Sequence, residues 1–255
     1  MRVVTIPCRS DNYSYLVGLD NSREVVAIDP CDLEPVLGAL VAQDLTLVAI
    51  LNTHHHGDHV GGNVGLLERY PGIPVYAHVS DRGRIPGQTH DVDEGTRVDA
   101  AGLTFQTLFI PGHTRGHVAY ITDGAAFAGD TLFGAGCGRL FEGTAAQLNH
   151  SLNGKLAQLP DATLVYFAHE YTASNLRFAL EVEPDNPQVV ARSIQTSDLR
   201  KAGKFTTPTS VGVEKQTNPF LRVGETTIRR YLGLPDEASS DEVFAALRRA
   251  KDQFK

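Results

Sequence analysis

The sequence predicts an α/β fold built in layers, followed by a helical C-terminal part. Three observations carry this. Up to about residue 168, short apolar runs with β-type composition are punctuated by Gly and Asp turns. Helical stretches fall between those runs, as in layered α/β architectures. Past His169 the strand signals stop and helical patterns with their caps take over.

In chain order, strands are expected at 14–19, 25–29, 45–52, 75–77, 97–100, 103–110, 118–122, 125–128 and 164–167, with helices at 61–70 and 144–159. Beyond them, 174–183 and 187–202 have helical periodicity, the second with Asn186 as cap and Pro187 in its first turn. A Thr/Pro-rich loop over 206–218 precedes a final helix near 241–251, announced by the capping box Ser239-x-x-Glu242. A boundary near residue 170 gives a catalytic domain over 1–170 and a helical substrate-binding domain over 171–255.

At 255 residues and 42% hydrophobic, the chain can bury a substantial core, which excludes disorder as the default. Its net charge of -7 is uneven, since residues 200–255 carry eleven Lys/Arg against seven Asp/Glu. A basic tail on an acidic body points to a local anionic ligand rather than to nucleic acid, whose binders present a strongly basic domain. Cys8, Cys31 and Cys137 have no CxxC spacing, which excludes a disulfide framework and a zinc ribbon and fits a reducing compartment. No apolar run reaches the roughly 18 residues that span a bilayer, and the N-terminus lacks the apolar core of a leader. The expectation is a cytoplasmic protein with no membrane partner, monomeric because no long exposed apolar stripe asks for one.

The strongest signal is Thr53-His54-His55-His56-Gly57-Asp58-His59, placed directly after the apolar run 45–51. His54 and His56, two apart on extended backbone, point the same way; Asp58 and His59, at the turn into a helix, aim at a second point nearby. That suits two metal ions better than one. Three further ligand-type residues follow apolar strands in the same manner: His113, Asp130 and His169. All are imidazole or carboxylate, a donor set that accepts Zn, Fe or Mn. Two divalent ions, zinc in the first instance, are the expected cofactors. Ions about 3.5 to 4 Å apart acidify a water between them and polarise a substrate carbonyl, so no Ser or Cys nucleophile is required. His55 and His117 are expected to support the loops, and His78, His90 and His150 to be ordinary hydrogen-bonded histidines.

On these motifs, together with Asp29, the chain resembles the metallo-β-lactamase superfamily. The resemblance implies an αββα sandwich. It also implies one ion on His54, His56 and His113, the other on Asp58, His59 and His169, Asp130 bridging both, and Asp29 orienting loop or ligand through hydrogen bonds. Within the superfamily the whole chain resembles glyoxalase II. The matching segments are Asp11-Asn12-Tyr13-Ser14-Tyr15, 137–144 from Cys137, Ala168-His169-Glu170-Tyr171-Thr172, Asn218-Pro219-Phe220-Leu221-Arg222 and the ending 248–255 from Arg248.

That resemblance implies hydrolysis of the thioester S-D-lactoylglutathione to glutathione and D-lactate, with glutathione contacts on Arg139, Tyr171, Arg248 and Lys251. Arg248 and Lys251, three apart on the last helix, share a face able to meet a carboxylate. Animal members of the family have Lys and Tyr where this chain has Arg139 and Phe141, so one hydroxyl contact is missing. Gly57 sits where relatives carry bulkier residues. The cluster also offers no spare general acid, which favours a thiolate leaving group that departs without a proton.

Three rivals stay open on residues alone: a single-iron glutathione persulfide dioxygenase, a β-lactamase, and a metal- or glutathione-binding module without catalysis. Seven candidate ligands and the long helical tail count against the first. The missing leader and the appended helices count against the second, and complete coordination spheres against the third.

Overall fold

The computed structural model describes residues 1–254, and the chain folds as two units, Met1–Phe109 with Gly116–Gly129, and Ile110–Arg115 with the chain from Asp130 onward. Lys255, the end of the last matching segment, lies outside the described residues.

In the first unit, β1 (Arg2–Cys8), β2 (Asn12–Gly18), β3 (Glu24–Ile28), β4 (Thr46–Leu51), β5 (Val75–His78) and β6 (His90–Val92) form one mixed sheet in chain order. The first three strands pair antiparallel and the last four parallel. Parallel neighbours need crossovers: α1 (Leu33–Ala42) links β3 to β4, and α2 (Gly57–Val60) with α3 (Asn63–Arg69) links β4 to β5. An antiparallel meander follows: β7 (Arg97–Ala100), β8 (Leu103–Phe109), β9 (Val118–Thr122) and β10 (Ala125–Gly129).

Inward-facing Leu16, Val25, Leu47 and Ile50 pack with Val36 and Leu40 of α1 and Leu66 of α3 in one buried cluster. Each such side chain contributes about 1.5–3 kcal/mol through area removed from water. The two sheets face each other through Tyr15 and Phe127, whose rings meet edge-on at 5.5 Å. Tyr120 also crosses between them, donating its hydroxyl to the carbonyls of Asn52 at 3.1 Å and Tyr76 at 3.2 Å. Burial drives that phenol's pKa well above its ordinary value, so it remains a donor.

Sequence periodicity leaves α1 unannounced because Pro35 and Gly38 read as breakers. Pro35 lies in the first turn, where the helix has no hydrogen bond to lose, and Val36 and Leu40, one turn apart, supply the buried stripe.

The second unit carries the hairpin β11 (Leu132–Phe133) and β12 (Gly136–Cys137), then α4 (Ala145–Asn149), capped by a Thr144/Gln147 box. The expected helix over 144–159 does not run through, since the chain widens to a π-turn at His150–Lys155 and tightens again at Leu156–Gln158. β13 (Leu164–Phe167) pairs antiparallel with β14 (Thr209–Ser210). The helices α5 (Thr172–Val182), α6 (Pro187–Lys201), α7 (Val211–Thr217), α8 (Thr226–Leu232) and α9 (Ser240–Gln253) complete it. Asn186 accepts from the N–H groups of Gln188 and Val189 at the start of α6, and Ser239 forms a reciprocal box with Glu242 at the start of α9. The segment expected to be loop, 206–218, contains α7, where Ser210 accepts from Val213 N–H.

Glu214 on α7 is fully buried and accepts four hydrogen bonds: from Arg192 at 2.6 Å, Thr209 at 2.8 Å, and Ala135 N–H and Asn218 Nδ2 at 2.9 Å each. It ties α6 and α7 to the β11–β12 hairpin. Replacing Arg192 with Met leaves that carboxylate buried without its cation and should lower unfolding stability by about 3–5 kcal/mol, read as a fall in urea midpoint at unchanged slope.

Candidate metal centre and substrate cavity

β3 and β4 are parallel and in register at Ile28 and Leu51, so both strands hand over to loops at the same sheet edge. Asp29 follows β3 and Thr53 follows β4. Asp29 adopts a left-handed backbone, φ 46°, uncommon for a residue with a side chain. Ser14 steadies it, donating to the Asp29 carbonyl at 2.6 Å and accepting Cys31 N–H at 3.0 Å. From there the Asp29 carboxylate accepts Thr53 N–H at 2.7 Å on one oxygen, and the Thr53 hydroxyl at 2.6 Å and His59 Nδ1 at 2.9 Å on the other.

These bonds fix tautomers. His59 donates from Nδ1 and so presents the lone pair of Nε2. Thr53, having given its proton to Asp29, can only accept from His54 Nδ1 at 3.0 Å, and His54 likewise presents Nε2. Asp29 lies near enough to His54 and His59 to be read as a third ligand. Its oxygens already hold Thr53 and His59, so its bonds orient those side chains.

His54 Nε2 lies 3.0 Å from His56 Nδ1, and His59 Nε2 lies 3.7 Å from Asp58 Oδ2. Two close pairs thus form in this loop, His54 with His56 and Asp58 with His59. His117 stacks on His54 at 4.6 Å and 19°, and His55 turns instead toward Asp81 and Arg84. Gly129, at φ +50°, allows the close packing here, since a Cβ would fall 2.4 Å from Thr53 Oγ1 and 2.8 Å from the His117 ring.

In the second unit, Asp130 sits between two imidazoles: Oδ2 is 3.4 Å from His113 Nε2 and Oδ1 is 3.4 Å from His169 Nε2. His113 Nδ1 donates to the Arg139 carbonyl at 2.8 Å, again leaving Nε2 for coordination. Two ligands on one tetrahedral ion at about 2.0–2.1 Å stand roughly 3.3–3.4 Å apart. The Asp130 separations match that edge once on each oxygen, the geometry of a carboxylate shared by two ions. His/Asp donors at these spacings therefore fit divalent cations.

Asp130 and His113 open onto a cavity of about 500 Å³ lined also by Arg139, Phe141, Tyr171, Ser174, Arg248, Lys251 and Phe254. Tyr171 stacks on His169 at 4.8 Å and 8°. Arg248 is 4% exposed and heavily engaged: Nε and one terminal nitrogen donate to Asp252 at 3.1 and 2.9 Å, the other donates to the Cys137 carbonyl at 3.0 Å, and the guanidinium lies over Phe220. Lys251 Nζ reaches the Ser174 carbonyl at 3.4 Å and lies over Phe178 and Phe254. Burial, then the charges of Arg248, Arg177 and Arg139, lower its pKa to about 8. Burial pushes the Cys137 thiol up to about 11, so it stays protonated.

Sequence reasoning did not single out Thr53, Asn12 or Asp252. Thr53 adjoins the histidine motif, and Asn12, which donates to Asp58 Oδ2 at 3.1 Å, lies in a quoted segment. Asp252 is visible only as an i+4 partner of Arg248.

The family model for the metallo-beta-lactamase superfamily matches residues 17–169, and that for the hydroxyacylglutathione hydrolase C-terminus matches 170–254. ETHE1 from Myxococcus xanthus is similar in structure, with TM-score 0.68 and 30% identity over 98% of each chain. So is TTHA1623 in a di-iron-bound form, with TM-score 0.61 and 29% identity over 87% of this chain and 100% of that one. The fold and its histidine–aspartate cluster are those of a divalent-metal protein of the metallo-β-lactamase superfamily. A hydroxyacylglutathione hydrolase from Synechococcus sp. (strain JA-2-3B'a(2-13)) is 52% identical over the full length of both chains. This chain belongs to the hydroxyacylglutathione hydrolase family. Among the described residues no helix is long and apolar enough to cross a membrane.

If Asp29 fixes the ligand tautomers, Asp29→Asn should weaken metal retention about 10- to 100-fold, measured by competition with a chelator. Unchanged retention would remove that role.

Proposed function

We propose that the chain hydrolyses S-D-lactoylglutathione to glutathione and D-lactate. The observation that carries this is Asp130, whose two oxygens each face a different imidazole at 3.4 Å, at the wall of a cavity rich in cations. His54, His56 and His113 are the proposed holders of one divalent ion and Asp58, His59 and His169 of the other, with Asp130 shared. Zinc is the proposed metal; the same donors accept iron or manganese. When bound, the ions supply an acidified water and polarise the thioester carbonyl.

The protein's own side chains bind and orient the substrate. Arg139 and Lys251 offer charge to the glutathione carboxylates, Tyr171 offers its hydroxyl, and Arg248, bonded to Asp252 and to the carbonyl and thiol of Cys137, holds the wall of the cavity in place. No side chain is asked to protonate the departing thiolate, since a thiol's ordinary pKa of about 8.5 makes it a good leaving group. A monomer in the cytoplasm completes the proposal, and the three free, buried thiols accord with a reducing compartment.

Loss of thioester absorbance on mixing S-D-lactoylglutathione with metal-loaded protein tests the activity directly; no loss with two bound metal equivalents would refute it. Lys251→Ala should raise KM more than it lowers kcat, while an equal fall in kcat at constant KM would contradict a binding role.

The pH dependence of KM has a definite sign. Lys251 is charged below about 8 and neutral above it, whereas the substrate carboxylates stay ionised. KM should therefore rise as pH passes through 8, and Lys251→Arg, charged throughout, should flatten that rise. A KM independent of pH in the wild type would exclude Lys251 as the anion contact.

A further inference from the structure

The cavity wall and the exposed face of α5 beside it hold more positive charge than nearby acids neutralise: Arg139, Arg248 and Lys251 line the cavity, and Arg177 stands outside it, next to the lining residue Ser174. Arg248 is paired with Asp252 and brings no net charge. On neighbouring helices, Arg200 is paired with Glu170 at 3.2 Å and Lys201 with Asp198 at 3.8 Å. Arg139, Arg177 and Lys251 differ: among the described residues none of the three has a carboxylate partner.

Two of these cations meet on one residue. Ser174, which lines the cavity, accepts Lys251 Nζ on its carbonyl at 3.4 Å and Arg177 on its hydroxyl at 3.4 Å. Arg177 lies one helical turn past Ser174 on α5, so both sit on the same face of that helix. The Phe178 ring, next to Arg177 in sequence, carries Lys251 Nζ at 5.4 Å and so keeps the ammonium on this part of α5. Like charges on one serine repel, and that repulsion contributes to the lowered pKa of Lys251. Such an arrangement is costly in the empty protein and becomes favourable once an anion lies between the two groups.

We propose that Arg177 and Lys251 form a two-cation seat on Ser174 for one carboxylate of the substrate, which makes Arg177 a specificity-determining residue outside the contacts already assigned. The proposal rests on a glutathione thioester as substrate. Glutathione carries two carboxylates, one on the glycine and one on the γ-glutamyl residue, and Arg139, which also lacks an acidic partner, is left for the other. A thioester of similar size without these carboxylates leaves the seat's repulsion unrelieved, so the seat selects for the peptide with its two carboxylates over acyl thiols that have none.

The test is calorimetric, using metal-loaded protein and three ligands that cannot be hydrolysed. They are S-methylglutathione, its glycinamide analogue, and an analogue in which 4-aminobutyrate replaces the γ-glutamyl residue, removing only that carboxylate. Arg177→Met should weaken S-methylglutathione about three- to fivefold, as expected for a partly exposed ion pair. Against one of the two analogues the same substitution should have no effect, and that analogue identifies the seated carboxylate. Arg177→Lys should retain most of the affinity. Unchanged affinity in Arg177→Met, or an equal loss for all three ligands, would overturn the proposal. Turnover of S-D-lactoylglutathione by the wild type is measured separately. Binding that follows the expected pattern without turnover would sink the hydrolase reading and leave the seat standing.

Discussion

One carboxylate governs the first half of the metal site. Asp29 is held at a left-handed turn where two parallel strands end side by side, and its bonds decide which nitrogen of His54 and of His59 faces outward. Without those bonds the tautomers of His54 and His59 would be undetermined, and so would the nitrogen each presents. The sheet is the cause: parallel register at Ile28 and Leu51 delivers Asp29 and Thr53 to the same edge. The strain at Asp29 is contained by a serine hydroxyl that braces the turn from β2.

The second unit solves a different problem, that of presenting one carboxylate to two imidazoles at the wall of a cationic cavity. Asp130 and His113 stand in the wall of a cavity whose cations are Arg139, just past the β11–β12 hairpin, and Arg248 and Lys251 of α9. Their placement depends on the hairpin that carries Cys137, which Arg248 grips from α9 and Glu214 grips from α7. Arg248 is therefore a strut, and the cavity's effective charge comes from residues that have no acid beside them.

Much of this was legible in the chain because the information is local. The alternating run 97–100 and the short apolar runs 118–122 and 164–167 coincide with β7, β9 and β13. The caps at Asn186 and Ser239 are decided within four residues. The histidine motif is likewise compact, and a strand followed by ligand residues identifies itself. Three kinds of feature were not legible. α1 hides behind Pro35 and Gly38, whose breaker character is harmless at those positions. α7 lies in a Thr/Pro-rich stretch and is stabilised by the burial of Glu214, a tertiary effect that propensity does not contain. The chains of bonds, Thr53 between Asp29 and His54 or Asp252 on Arg248, depend on side-chain geometry that spacing alone does not give.

The buried network on Glu214 has a consequence for how such a chain can change over generations. Its carboxylate serves a guanidinium, a hydroxyl, an amide and a main-chain N–H at once. Loss of any single partner strands the others, so a lineage cannot cross from this network to an apolar one by independent steps. Arg192 and Glu214 should be inherited or replaced together, and a sequence lacking one should compensate at the other, even though neither touches substrate.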